Sequence, residues 1–369
     1  MKFSISPKTR RNISRIIPFG VIWLLLGWYD LLTGALATGN ENINPNVDIT
    51  LTPKIFIFAT IAVTTTGLIV GILEVYWFKN LFSKYSFGRK LFSKFLFYSF
   101  FLFLLMFITY PVAAGMEAGR PPFDPIVLKK FKAFMNSSFF WGTITTLAFS
   151  TFLSLFYAAI SDHLGPKVLS NFFTGKYHQP VEEERIFMFL DMKSSTAIAE
   201  ELGHLTYFEL LGAYYDELSA AIIQHEGEVY QYVGDEIVIS WERERGIRNE
   251  NCLNCFFAMQ QDLRDRASYF KERYGIVPAF KAGLHIGRVT TGEIGALKRE
   301  IFFTGDVLNV TARIQSLCNT YEADILISDK LVDLLNDTFT FRSLGPVALK
   351  GREQSMELFE VSKTNPNSL

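Results

Sequence analysis

Charge and cysteine are both scarce in this sequence. Charged residues make up 20% of the 369 residues and leave a formal net charge of -1, so no excess of one sign favours nucleic acid as a partner. The three cysteines are an odd number and give no disulfide framework. A reducing, cytosolic environment fits them best, and all three lie in the more polar C-terminal half: Cys252, Cys255 and Cys318.

Apolar residues are abundant instead. They reach 49% of the chain, with 36 phenylalanines, which is too apolar for a wholly soluble enzyme of this size. Four apolar runs are each close to the roughly 20 residues that cross a bilayer. Glu74 and Lys94 lie near the ends of their runs, where a charged side chain can reach the membrane surface. The runs predict four transmembrane helices, at about 16–37, 55–78, 91–114 and 138–160.

The basic residues predict the orientation of these helices. The N-terminal tail and the loop between the second and third runs are rich in lysine and arginine, whereas the first loop carries Glu41, Asp48 and only Lys54. The positive-inside rule then places both termini in the cytoplasm, with the protein in the plasma or inner membrane. A cleaved signal peptide ending at Ala35-Leu36-Ala37 is the alternative for the first run, but this run is longer than usual and three more follow.

Composition divides the chain into four segments. A transmembrane domain at 1–160 is followed by a connector at 161–184, which glycines and prolines interrupt. A catalytic domain at 185–361 and a short tail at 362–369 follow. We therefore expect an α-helical four-span membrane domain and then an α+β domain. Nothing in the sequence identifies a ligand for the membrane domain.

An apolar run in the second half ends on a carboxylate. Residues 186–190 predict a buried strand, and Asp191 follows at its C-terminal end. After Met192 the chain continues with small hydroxyl residues that begin a helix, and the first backbone N–H groups of a helix can bind an anion. A carboxylate beside an anion site is the arrangement expected for a metal-bound phosphate. The hydroxyl residues are Ser194, Ser195 and Thr196.

A second aspartate lies at a predicted hairpin tip. Two β-branched and aromatic runs flank Gly234-Asp235, which is typical of a tight turn. The order of the predicted elements is β-α-β-β-α-β, a ferredoxin-like sheet with helices on one face, in which the first strand is antiparallel to the third and beside it. Asp191 and Asp235 are then neighbours, and such a pair suits Mg²⁺ or Mn²⁺. The predicted elements are a strand at 186–190, helices at 195–224, a hairpin at 228–241, a helix at 249–273, strands at 280–286 and 289–294, and a helix at 307–318.

Each aspartate alone has a simpler interpretation. An aspartate at the end of a strand is usually a helix cap, and a Gly-Asp pair at a hairpin tip is usually only a turn. Their placement side by side by one fold favours the metal site.

Three stretches together resemble a known family. Phe189-Leu-Asp191-Met-Lys-Ser-Ser-Thr196, Tyr232-Val-Gly-Asp235-Glu236 and Gly305-Asp-Val-Leu-Asn309-Val-Thr-Ala-Arg313 are similar to the three motifs of class III adenylate and guanylate cyclases. The four-span N-terminus resembles that of the membrane-bound bacterial type. The resemblance covers about 185–361.

The resemblance implies an activity and a set of site residues. It implies conversion of ATP to 3′,5′-cyclic AMP and pyrophosphate at the interface of a homodimer, with two Mg²⁺ or Mn²⁺ ions per site. Asp191, Asp235 and the backbone carbonyl of Met192 would hold the metals, and Asn309 and Arg313 would come from the opposite protomer to steady the ribose and the α-phosphate. Ser194, Ser195 and Thr196 would lie against the substrate.

The base-reading positions depart from the family pattern. Gln231 stands where adenylate cyclases commonly have lysine, and Phe302, with Thr304 two residues later, stands where Asp or Thr is usual. A glutamine amide can both donate and accept, so it can pair with adenine or with guanine. The choice between ATP and GTP therefore stays open, with ATP preferred.

Other interpretations remain beside this one. The Val233–Ile237 turn resembles a degenerate diguanylate cyclase turn, although the Asn309 and Arg313 motif argues against that family. A catalytically inactive receptor module with a cyclase fold is a second alternative. Cys252 and Cys255 have C-x-x-C spacing but no second ligand pair, and His285 reads as a core histidine.

Overall fold

The computed structural model describes residues 6–39, 44–78, 87–164, 168–169, 171, 174–296, 299–336, 338–348 and 355–363. They form two compact units, Thr9–Phe173 and a second that starts at Thr174. Six residues of the predicted connector, at 165–167, 170 and 172–173, lie outside the described residues.

The first unit is helical. Four of its helices are long and apolar enough to cross a bilayer, which confirms the prediction from the four apolar runs. Beside them lies an eleven-residue helix that the sequence analysis did not predict. The helices are α1 (Pro7–Thr38), α2 (Pro53–Leu73, continued by a π-helical turn at Glu74–Phe78), α3 (Phe87–Ala118), α4 (Pro125–Met135) and α5 (Ser138–Leu164).

Capping residues determine where α2 and α4 begin. The N–H of Ile55 donates to Thr52 Oγ1 and the N–H of Ile126 donates to Asp124 Oδ1, each across the first turn of the helix. A proline follows each cap, where its missing N–H costs no hydrogen bond. The loop after α3 therefore ends at Asp124, where α4 begins.

Glu74 and Lys94 form a buried ion pair within the first unit. The side chains of Glu74 and Lys94 are only 7% and 6% exposed and contact each other, and the Tyr98 hydroxyl donates to Glu74 Oε2 at 3.3 Å. The two charged side chains near the ends of their apolar runs therefore contact each other in the structure. Two opposite charges in contact partly offset the free-energy cost of removing each charge from water, so the pair can remain buried.

The second unit is built on one eight-stranded sheet with strand order β2-β3-β1-β4-β6-β8-β7, and β5 pairs with β4. Its strands are β1 (Val181–Met192), β2 (Glu228–Val233), β3 (Glu236–Glu242), β4 (Phe280–Ile294), β5 (Glu300–Thr304), β6 (Ile325–Ser328), β7 (Phe339–Val347) and β8 (Met356–Lys363). Its helices are α6 (Ser195–Gln224), α7 (Arg243–Ile247), α8 (Asn251–Asp265), α9 (Ala267–Tyr274), α10 (Asp306–Leu317) and α11 (Asp329–Val332).

The predicted β-α-β-β-α-β arrangement is confirmed. Strand β1 lies between β3 and β4 and is antiparallel to both. The break predicted after residue 286 was wrong, because β4 is a single strand of 15 residues. Strand β1 starts five residues earlier than predicted, at Val181, and pairs with β4 along its whole length, so Gly287 and Arg288 stay within the ladder.

Helices cover both faces of the sheet. Ile186, Met188 and Leu190 of β1 point to the face where α6, α8 and α9 pack. The prediction that helices cover only one face holds for these three helices and was wrong for α10. The alternate residues Phe187 and Phe189 point to the opposite face, where α10 packs. The helix that carries Asn309 and Arg313 is thus separated by the sheet from the other long helices.

Helix α10 approaches β4 closely at Gly283. A Cβ atom on Gly283 would lie 2.3 Å from the backbone nitrogen of Gln315 and 2.7 Å from its Cα. No L side chain fits this space without moving the helix, because backbone atoms cannot rotate away as a side-chain end can. Gly283 therefore sets the distance between α10 and the sheet.

We predict that Gly283→Ala destabilises the second unit by about 1–3 kcal/mol and loosens α10, since the added methyl group overpacks this contact. Amide hydrogen exchange of the 306–317 segment in the full-length protein would measure the effect. Gly212→Ala is the matched control, because no atom lies within 4 Å of a Cβ at that helical position. Unchanged exchange in Gly283→Ala would contradict the close approach.

A double-mutant cycle tests the ion pair of the first unit. Glu74→Leu or Lys94→Leu alone is expected to cost about 3–5 kcal/mol, because each leaves one buried charge unpaired. The double variant is expected to be more stable than either single variant. Thermal unfolding in detergent reports the difference, and strictly additive losses would show that the two side chains do not depend on each other.

Candidate active site

Asp191 lies at the end of β1 and has two partners on neighbouring elements. Its carboxylate oxygen Oδ2 is 3.3 Å from Lys281 Nζ and accepts a hydrogen bond from Gln315 Nε2 at 3.2 Å. Lys281 faces Asp191 directly across the β1–β4 ladder. Gln315 reaches it from α10, so three elements of the fold meet at this one side chain.

Asp235 lies at the tip of the β2–β3 hairpin. Gly234 has φ +62°, a left-handed conformation that glycine adopts at little cost, and it makes the tight turn possible. The Tyr215 hydroxyl of α6 donates to the Gly234 carbonyl, which holds the tip against the helix. Within the described residues, the buried oxygen Oδ2 of Asp235 has no hydrogen-bond partner.

The two carboxylates interact unfavourably with each other. Burial raises the pKa of Asp191, contact with the Asp235 carboxylate raises it further, and Lys281 partly opposes the rise. Burial and the charges of both aspartates also raise the pKa of Glu236. A cation between the aspartates would remove this repulsion.

Three tyrosines of α6 surround the acidic pair. Burial first, and then the charge of Asp235 among other causes, raises the pKa of Tyr207, Tyr214 and Tyr215, the last to about 12. All three therefore stay protonated and neutral near pH 7. No motif in the sequence pointed to these tyrosines, although the spacing of seven between Tyr207 and Tyr214 places both on one side of a helix.

Lys281 and Gln315 were missed as well. The position of Lys281 could have been inferred only from the strand register, and that of Gln315 only from the helix packing. Neither residue type is part of the metal-site pattern that pointed to Asp191 and Asp235.

The residues fit a divalent metal ion. Asp191 and Asp235 supply carboxylate oxygens, and the buried, unpartnered oxygen of Asp235 is the kind of group that a cation would satisfy. Among the described residues there is no group of three or more His, Cys, Asp or Glu side chains that could bind a metal. Mg²⁺ and Mn²⁺ suit such a sparse set, because they keep waters and take further oxygens from substrate phosphates.

The first backbone N–H groups of α6, just after Asp191, have no side-chain cap. Ser194 has a left-handed conformation with φ 57°, and its side chain makes no capping hydrogen bond to α6. Ser194 and Thr196 are exposed and Ser195 is half-buried. The first N–H groups of α6 therefore remain available to an anion next to Asp191.

Asn309 and Arg313 are not brought to the aspartates of their own chain. Both lie on α10, where Asn309 is exposed and Arg313 half-buried. At about 100° per residue, they project from the side of the helix roughly opposite Gln315, which contacts Asp191. No hydrogen bond or ion pair of either side chain is seen among the described residues.

The positions that the resemblance assigns to the nucleotide base lie on β2 and β5, which meet at Tyr230 and Phe303. The ring of Tyr230 on β2 packs on Phe303 of β5 with centroids 4.7 Å apart, and the N–H of Phe303 donates to the Tyr230 hydroxyl at 3.4 Å. The neighbouring side chains are exposed, Phe302 at 45%. These neighbours are Gln231, Phe302 and Thr304.

The C-x-x-C cysteines and His285 belong to the core of the second unit. Cys252 and Cys255 are fully buried, and burial raises the pKa of Cys252 to about 12, so its thiol stays protonated and is a poor metal ligand. His285 is buried with Nδ1 2.7 Å from Ser328 Oγ, which confirms it as a core histidine.

Comparisons with known proteins point to one family. The model of the adenylate and guanylate cyclase catalytic domain matches residues 177–363. Adenylate cyclase 2 of Rhizobium meliloti (strain 1021) is 34% identical over 210 residues, which are 56% of this chain and 58% of that protein. Adenylate cyclase 1 of the same strain is 28% identical over 184 residues, 48% of this chain and 27% of that protein. The match therefore spans little more than half of the first relative and about a quarter of the second.

A solved structure shows the same fold. A bacterial light-regulated adenylyl cyclase has a TM-score of 0.52 at 20% identity, covering 61% of this chain and 65% of that one. Because the family model covers just over half of the chain, this protein belongs to the adenylate and guanylate cyclase family.

Proposed function

We propose that this protein is a membrane-anchored adenylate cyclase that converts ATP to 3′,5′-cyclic AMP and pyrophosphate. The observation that carries the proposal is the pairing of Asp191 with Asp235, whose buried oxygen lacks a partner among the described residues. This pair lies in a domain of the cyclase family, and the two curated relatives described above are named adenylate cyclases.

The membrane part of the proposal is supported by the first unit. Its four long apolar helices suit a bilayer, and the lysine and arginine distribution favours a cytoplasmic N-terminus and catalytic domain. We keep the domain limits of 1–160, 161–184, 185–361 and 362–369 as part of this proposal.

Two divalent metal ions per site are proposed, held by Asp191, Asp235 and the backbone carbonyl of Met192. When bound, they would lower the pKa of the ribose 3′-hydroxyl and neutralise the leaving pyrophosphate. No side chain of the protein then has to act as a nucleophile. We propose that the first backbone N–H groups of α6, next to Ser194, Ser195 and Thr196, bind phosphate oxygens.

A head-to-tail homodimer is proposed because one chain alone leaves the site incomplete. Asn309 and Arg313 project away from the aspartates of their own chain, so a second copy is needed to bring them to the substrate. There the Asn309 amide would orient the ribose, and the planar guanidinium of Arg313 would bind the charge that develops on the α-phosphate.

The nucleotide base is the least constrained part of the proposal. Gln231 can hydrogen-bond to either purine, and the exposed Phe302 supplies a ring rather than a polar group. The named adenylate cyclase relatives favour ATP. GTP is the second candidate, because neither position carries the residue that adenylate cyclases commonly use.

Turnover by the purified full-length protein tests the activity. With Mn²⁺, we expect cyclic AMP from ATP and less cyclic GMP from GTP. Asp191→Ala or Asp235→Ala should lower the rate by roughly 100-fold or more, since a metal supplies several kcal/mol of transition-state stabilisation. Asp265→Ala, an exposed carboxylate on α8, is the control. Absence of cyclic product from both nucleotides would refute the proposal.

Complementation between two inactive chains tests the shared site. A heterodimer of one Asp191→Ala chain with one Asn309→Ala chain retains a single intact site and should show about half of the wild-type activity per dimer. Each homodimer of a single variant should be nearly inactive. If the heterodimer is as inactive as its parents, then Asn309 acts within its own chain.

A further inference from the structure

Gln315 is a buried polar residue that no part of the proposed chemistry uses. It is 8% exposed, lies on α10 two residues after Arg313, and donates from Nε2 to Asp191 Oδ2 at 3.2 Å. A buried amide usually has its hydrogen-bond partner in the protein, and here the partner is a proposed metal ligand.

The packing around Gln315 fixes its position. Its backbone lies so close to β4 that a Cβ on Gly283 would be 2.3 Å from the Gln315 nitrogen. Its neighbour Ile314 is fully buried in the cluster that joins α10 to β6 and β8. The Gln315 side chain therefore starts from a rigid base, and a shift of α10 along the sheet would move its amide relative to Asp191.

The contacts of Asp191 leave part of its carboxylate available. Lys281 and Gln315 both approach Oδ2, and Lys281 is itself held by Asn319 Oδ1 at 3.0 Å. The neighbour of Asp191 on the hairpin tip is Asp235, the other proposed metal ligand. Two partners on one oxygen restrict the rotation of the carboxylate and direct its other oxygen toward a further ligand.

We infer that Gln315 is a positioning residue: it orients Asp191 for metal binding and so joins the metal site of one protomer to the helix that presents Asn309 and Arg313 to the other. The inference rests on the proposed two-metal, homodimeric function. Helix α10 then has two roles on opposite sides, because its Gln315 side serves its own chain and its Asn309 side serves the partner. A movement of α10 would affect both sites of the dimer together.

Metal affinity measured without turnover is the first test. Electron paramagnetic resonance of Mn²⁺ titrated into the purified full-length protein gives the dissociation constant directly. Gln315→Met keeps the volume but removes the donor, and we expect Mn²⁺ to bind about 10–100-fold more weakly, as for other residues that orient metal ligands. In an Asp191→Ala background the same substitution should have no further effect.

Thr311→Val is the matched control for this titration. Thr311 is a fully buried polar residue on α10 whose hydroxyl donates to the Val307 carbonyl and does not contact Asp191. Its substitution should leave Mn²⁺ affinity unchanged. If Gln315→Met does not fold, Gln315→Asn shortens the side chain by one methylene, withdraws the amide from Asp191 and should weaken binding similarly. Wild-type affinity in the folded Gln315 variant would overturn the inference.

A heterodimer shows whether Gln315 orients Asp191 of its own chain or only supports the packing of α10. One chain carries Asp191→Ala and Asp235→Ala, so only the other chain holds metal. Gln315→Met in the metal-holding chain should raise the Mn²⁺ concentration for half-maximal activity about 10-fold or more. The same substitution in the chain that supplies Asn309 and Arg313 should not. An equal effect in both chains would show a purely structural role.

The two experiments distinguish the failure of the inference from that of the proposed function. If the wild-type protein binds no Mn²⁺, or if the heterodimer makes no product, the metal site or the shared dimer site is refuted. If the wild type binds Mn²⁺ and Gln315→Met binds it equally well, only the role of Gln315 is refuted.

Discussion

The antiparallel pairing of β1 with β3 is the constraint on which the site depends. It brings the C-terminal end of one strand beside the hairpin tip of another, and so places Asp191 against Asp235. Two partly buried carboxylates in contact destabilise a protein unless a cation or a proton lies between them. This unfavourable pair lies at one end of central strands, in a sheet whose apolar residues are packed on both faces.

The elements around the pair hold it in place without neutralising it. Tyr215 fixes the hairpin tip through the Gly234 carbonyl, while Lys281 and Gln315 hold one oxygen of Asp191. Lys281 offers a single positive charge against two aspartates. The remaining negative charge is available to a divalent metal, and the open N–H groups of α6 lie at the same strand end.

The first unit also buries charged side chains, but there the two charges are opposite. Glu74 and Lys94 are buried side by side in helices long enough to cross a bilayer, and the Tyr98 hydroxyl completes the contacts of Glu74. Here opposite charges meet, so no external ion is required. The π-helical turn at Glu74–Phe78 begins at this glutamate, and such turns often occur where a helix carries a functional residue.

The sequence by itself determined the four apolar helices, the β-α-β-β-α-β order and the two aspartates, because periodicity, turn residues and strand-end carboxylates are local signals. Tertiary structure alone decided that β4 is unbroken, that Glu74 pairs with Lys94 and that α10 lies on the opposite face of the sheet. It also brought Lys281 and Gln315 to Asp191 from 90 and 124 residues away in the chain. Such contacts depend on strand register and close packing at Gly283, which no local pattern of residues encodes.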